Sequence, residues 1–244
     1  MTEYKNYGFR VVILIVSCML FSTMASAAQQ PTGPDNIKNL STVAPTPRSA
    51  YMLNTSGGTF TTLLINISSQ TYRWKAYAGN ITGKFVLADN MNKSIYDWSI
   101  SSVSGEVYAT RSATVITWAN IICGNSTSVK TEERALNITS SNDDSINRTF
   151  MGHINTHNAF YVGTKLISAN SCPSISTFVN NTRQTSKFQE VLLYDKIRTV
   201  YTGLLEAGAK GFNNQYYDFQ LIVPESGLQG QQPVTPYYFY VELS

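Results

Sequence analysis

The chain has 244 residues, of which 43% are hydrophobic and 12% aromatic, with only 14% charged and a formal charge of +3. That hydrophobicity with so little net charge excludes an intrinsically disordered chain and supplies enough apolar side chain for a core. The 18 Lys and Arg are scattered, which excludes a phosphate-neutralising nucleic-acid binder, and no sustained heptad pattern supports a coiled coil.

The first 27 residues read as an export signal. Lys5 and Arg10 give a positive start, residues 11–24 are apolar, and Ala25-Ser26-Ala27 is a small-residue cleavage site. An uncleaved anchor calls for about 20 apolar residues. A lipoprotein reading around Cys18 conflicts with the apolar run that continues through Phe21, and a pilin-type cut between Gly8 and Phe9 conflicts with Arg10. Cleavage after Ala27 removes Glu3, Lys5 and Arg10 and takes the formal charge from +3 to +2. No later apolar run is long enough to span a bilayer, so the expectation is a secreted or cell-surface protein without a transmembrane segment after cleavage.

Residues 28–50 hold four of the eight prolines and read as a polar linker or arm. From residue 51 to 244 the pattern predicts one antiparallel β-sandwich, possible in jelly-roll form, with little helix. Strand-like runs follow in order at 59–67, 71–78, 81–87, 94–100, 106–110, 114–122, 159–167, 188–194, 217–223 and 237–243. Two stretches break the rhythm. Residues 124–158 are long and polar and read as an insertion with a short helix near 132–136, while the glycines of 195–211 suggest irregular chain or one short helix.

With Cys18 removed, Cys123 and Cys172 remain, and an even pair in an oxidising compartment predicts a disulfide. The N-x-[ST] pattern occurs at Asn39, Asn54, Asn66, Asn80, Asn92, Asn125, Asn137, Asn147 and Asn180. That is about twice what random placement of 20 Asn and 52 Ser and Thr would give, and it predicts a sugar coat on surface turns. An Asn- and Ser-rich β-protein without sugars is the plainer alternative.

Chemistry-bearing patterns are sparse. His153 and His157, four apart, are the metal candidates, with Asp143 and Asp144 near them in sequence. No nucleophile-elbow, zinc-protease or phosphate-loop motif occurs, so neither enzymatic activity nor a cofactor is expected. Tyr77, Tyr216, Tyr238 and Tyr240 are candidates for stacking on a sugar, although Tyr and Trp at period two also serve as core and cross-strand residues.

Trp74-x4-Gly79-Asn80-Ile-Thr-Gly83, with Tyr96-Asp97-Trp98, Gly105-Glu106-Val-Tyr-Ala109 and Tyr217-Asp218-Phe-Gln-Leu-Ile-Val-Pro224, resembles motifs of secreted archaeal and related prokaryotic cell-surface β-proteins of unassigned function. The resemblance covers most of residues 70–224 and implies an extracellular β-protein, but assigns no site residue. The functional expectation is therefore an exported structural or adhesive glycoprotein, a subunit of a surface layer or filament, whose partners are copies of itself or other surface proteins. A carbohydrate-binding module is the alternative, and an extracellular hydrolase or metal-dependent enzyme the second alternative.

Overall fold

Short alternating runs of apolar and hydroxyl residues become strands, numbered here along the chain of a computed structural model that describes residues 30–228 and 234–244; the expected export signal at residues 1–27 lies outside them. β1 (Trp74–Gly79), β2 (Lys84–Ala88), β3 (Ser94–Ser99) and β4 (Gly105–Thr110) come first. After a 3-10 turn at Trp118–Asn120 follow β5 (Ile122–Cys123), helix α1 (Ser126–Ala135) and a π-helical turn at Asn147–Met151. Next are β6 (Phe160–Val162), β7 (Lys165–Ile167), β8 (Ser174–Ser176), β9 (Gln189–Tyr194) and β10 (Thr199–Leu204). The last are β11 (Ala209–Lys210), β12 (Tyr216–Tyr217), β13 (Phe219–Pro224) and β14 (Tyr238–Leu243). The fold is all-β and every named pairing is antiparallel. Among the described residues, no helix is long and apolar enough to cross a membrane.

The main sheet runs β14-β4-β10-β9-β5, and β8 pairs with the same side of β9 as β5, further along that strand. Its centre is apolar on both faces. Val191 and Leu193 point with Val200, Tyr108 and Trp118 into one core, whereas Leu192 and Tyr201 point with Leu221, Val223 and Phe150 into the other. Each such side chain contributes about 2 kcal/mol on burial, so both faces must be covered. The β6–β7 hairpin covers the first face with Phe160, Val162 and Ile167. Residues 114–122, expected as one strand, add Ile116, Trp118 and Ile121 to it, mostly as 3-10 turn and irregular chain.

The second face is covered by the β1–β13 ribbon and by the chain after β5. Residues 124–158, expected as a polar insertion, carry Val129, Leu136, Ile138, Ile146 and Phe150 into the second core. Helix α1 starts where Asn125 Oδ1 accepts the backbone N–H groups of Thr127 and Ser128, and Ser128 Oγ accepts the Asn125 N–H in return. The ribbon joins the Trp74-x4-Gly79 and Tyr217–Pro224 stretches, with Trp74 opposite Pro224 and Gly79 opposite Phe219. Buried Glu190, which burial holds protonated well above the usual carboxylate range, accepts the Ile222 N–H at 2.9 Å and ties the ribbon to β9.

Two expectations change here. Residues 199–204, read as irregular or helical, form the central strand β10, packed beneath β13 where Gly203 lies next to Leu221 and the Gln220 carbonyl. Residues 159–167 are a hairpin turning at Gly163, whose φ is +59°. The disulfide between Cys123 and Cys172 is present, with 4.9 Å between Cα atoms, and staples β5 to the chain entering β8.

Gly105 opens β4 at φ +119°, and a Cβ there would collide with the Glu242 carbonyl of β14. Gly105→Ala should therefore lower stability by more than about 2 kcal/mol in urea unfolding and loosen β14 first, read as faster amide exchange at residues 238–243. An unchanged midpoint would contradict this account.

Candidate assembly surface

The two layers bury the centre of the domain, but single apolar side chains remain exposed after residue 73 and a longer apolar stretch before it is uncovered. Residues 33–72 form no strand or helix, and hydrogen bonds among residues 33–70 are local, such as Asn39 Nδ2 to Thr42 Oγ1 and Thr59 N to the Ser56 carbonyl. Within this stretch Phe60 is 95% exposed, Leu64 90% and Ile67 81%. The expected strand at 59–67 has strand composition but no partner among the described residues. Contiguous exposed apolar chain of this kind makes the stretch a candidate binding surface.

Both ends of the stretch are tied down. At the first, Thr32 exchanges two backbone hydrogen bonds with Val241 on the outer edge of β14, and Pro31 is buried. The pairing stops there because the next outward position, Phe239, falls opposite Pro34, which has no N–H. At the second, Thr71 Oγ1 donates to Asp144 at 2.5 Å, Arg73 forms an ion pair with the same carboxylate at 2.8 Å, and Trp74 Nε1 donates to the Asp144 carbonyl. The segment is therefore a loop with two anchored feet, and it extends the expected arm of 28–50 by about twenty residues.

A second exposed element follows. The β2–β3 ribbon is exposed on both faces and carries Tyr96 and Trp98 in edge contact at 5.0 Å, with Trp98 half exposed.

Beneath the β14 edge lies an acidic pair that sequence reasoning missed. Glu106 on β4 and Glu242 on β14 face each other in register, both buried. Glu242 accepts the Tyr108 hydroxyl at 2.9 Å and the Gly163 N–H at 2.9 Å. Burial, and after it the Glu242 carboxylate, pushes Glu106 up to about 8. Burial also raises Glu242, against the two hydrogen bonds it accepts. A carboxylate at an inward position of a strand is visible in the sequence, but its opposite number lies 136 residues away.

The expected site residues scatter. His157 is buried with both ring nitrogens engaged: Nδ1 bonds the Asn158 carbonyl at 2.7 Å and Nε2 accepts the Cys172 N–H at 3.0 Å. Burial lowers its pKa, consistent with the neutral ring that this pattern requires. It has no lone pair left for a metal, His153 is exposed, and Asp144 is spent on Arg73; among the described residues, no cluster of three or more His, Cys, Asp or Glu side chains could hold a metal. The four tyrosines form no row. Tyr77 sits edge-on to Phe239 and Tyr240 edge-on to Trp118, on opposite faces of β14, while Tyr238 and Tyr216 are exposed on different sheets. Of the nine glycosylation candidates, all but the half-buried Asn147 are exposed, and Asn92, Asn137 and Asn180 lie in left-handed turns. Asn125 caps α1 through Oδ1, which leaves Nδ2 free of that bond.

No family model, no curated protein and no solved structure matches the chain.

Both carboxyls of the acidic pair hold their protons more tightly in the folded than in the unfolded chain. Their contribution is complete below the ordinary value of 4.5 and is lost as pH rises through about 8. His157 pulls the other way only below about its ordinary 6.5. Between about pH 7 and pH 9 the unfolding free energy from urea titration should fall, by about 1 kcal/mol for Glu106 alone, and the midpoint with it. Glu106→Gln should flatten that slope; a wild-type midpoint that rises across this interval would refute the reading.

Proposed function

We propose that the chain is an exported structural or adhesive component of a cell surface, assembling with copies of itself or with other surface proteins through the loop at 33–72. The observation that carries this reading is the exposure of Phe60, Leu63, Leu64, Ile65 and Ile67 on a loop whose two feet are anchored to the folded domain. An isolated chain in water gains nothing from displaying such a segment, whereas burial of these five side chains against a partner would contribute several kcal/mol at about 2 kcal/mol each. The low charge and the wealth of hydroxyl and amide groups suit lateral packing, and sugars at exposed Asn39, Asn54 and Asn66 would keep the loop soluble before assembly. The export signal and the Cys123–Cys172 disulfide support an extracytoplasmic site.

Replacing residues 51–70 by a Gly-Ser stretch of equal length should leave thermal unfolding of the domain unchanged and abolish assembly. Light scattering behind size exclusion, with negative-stain microscopy of the mature protein, reads the outcome. Filaments or oligomers that persist unchanged would overturn the role of the loop.

The exposed Tyr96–Trp98 pair favours carbohydrate binding as a second reading. On that reading glycan-array binding should be present in the monomer and fall at least tenfold in Trp98→Ala; a blank array would remove it.

A further inference from the structure

Resting on the assembly reading, we infer that residues 59–67 of one copy add as a strand to the open edge of β1 in a second copy. The backbone of β1 defines that edge. Glu225 N donates to the Arg73 carbonyl and Asp218 N to that of Gly79, so the odd-numbered residues turn their N–H and C=O toward β13. Trp74, Ala76 and Ala78 therefore turn theirs outward, and no described residue pairs with them. After Trp74, which packs against Phe150 of the second core, the side chains alternate to match. Tyr77 points inward, edge-on to Phe239 at the rim of the second core, whereas Ala76 and Ala78 are exposed and leave the outer side low.

Residues 59–67 complement this edge. Leu63, Ile65 and Ile67 share one face and Thr62, Leu64 and Asn66 the other. Laid beside β1, the first face extends the core over Tyr77 and Phe239. The second lies over the alanines and turns the glycosylation candidate Asn66 to solvent.

Other edges fit less well. Thr32 and Pro34 already block β14, β5 and β8 have two and three residues, and the β2–β3 ribbon has no core beneath it. The chain's own β1 is disfavoured as well. A hairpin back onto it would have to turn within residues 68–73, where Thr71 and Arg73 are held on Asp144. The centre of the segment is eight residues from that anchor, at most about 28 Å away. The accepting β1 must therefore belong to a domain in direct contact with the donor. Strand addition of this kind takes its affinity from main-chain hydrogen bonds and its specificity from alternate side chains.

Two singly substituted proteins, Leu64→Cys and either Ala76→Cys or Ala78→Cys, are mixed, allowed to assemble and oxidised. The expected result is a disulfide-linked dimer joining the two variants, seen by non-reducing electrophoresis and mapped by mass spectrometry. In parallel, the double variant Leu63→Asp/Ile65→Asp, whose changes lie on exposed chain, should unfold like wild type and remain monomeric. Assembly that survives these aspartates without any cross-link would overturn strand addition while leaving the assembly reading intact. A cross-link that forms only within single chains carrying both Leu64→Cys and Ala78→Cys would overturn the exchange between copies. Wild-type protein that stays monomeric at millimolar concentration would overturn the assembly reading itself.

Discussion

Burial of β9 and β10 on both faces sets the conditions for everything around them. An antiparallel sheet commonly leaves one face to water, but Leu192 and Tyr201 on one side and Val191, Leu193 and Val200 on the other cannot both be served by one layer. The chain answers with a hairpin and the Trp118 turn on the first face, and with α1, the π-helical turn and the β1–β13 ribbon on the second. Close approach has local consequences. Glu190, whose burial raises its pKa well above the usual carboxylate range, bridges β9 to the ribbon through the Ile222 N–H.

The edges follow from the same arrangement. On one side the sheet ends in two short strands, β5 and β8, stapled together by the Cys123–Cys172 disulfide. On the other it ends in β14, supported by the buried Glu106–Glu242 pair and covered at Val241 by Thr32. Edge strands with free backbone groups invite pairing with other chains, and proline, short length and covering segments restrain it. Those restraints act at β14, β5 and β8. They are missing at β1, and the unpaired apolar loop at 33–72 leaves the domain beside it, anchored to Asp144.

Much of this was legible residue by residue. Alternation in 106–110, 188–194 and 237–243 marked three of the main strands, and the two cysteines marked their own pairing once the signal was set aside. β10 was hidden by Gly203, a poor strand residue in the middle of the glycine-interrupted stretch 195–211. The second core was hidden as well, because Val129, Leu136, Ile138, Ile146 and Phe150 are spread among Asn, Ser and Thr and lack a strong period. Glu106 and Glu242 are unremarkable apart and become a titrating pair only when β4 and β14 meet.

The sequence by itself determined the composition-driven properties: a chain of low charge with enough apolar side chain for a core, strand-forming runs, one cysteine pair and a strand-like segment at 59–67. These depend on residues close along the chain, where side-chain alternation and turn chemistry act directly. Only the tertiary structure decided that, among the described residues, 59–67 has no partner and β1 keeps an open edge, that His157 spends both nitrogens on backbone groups, and that two glutamates share a buried site. Each of these turns on which distant segments are brought together and which hydrogen-bonding groups are already taken, quantities that a local pattern does not encode.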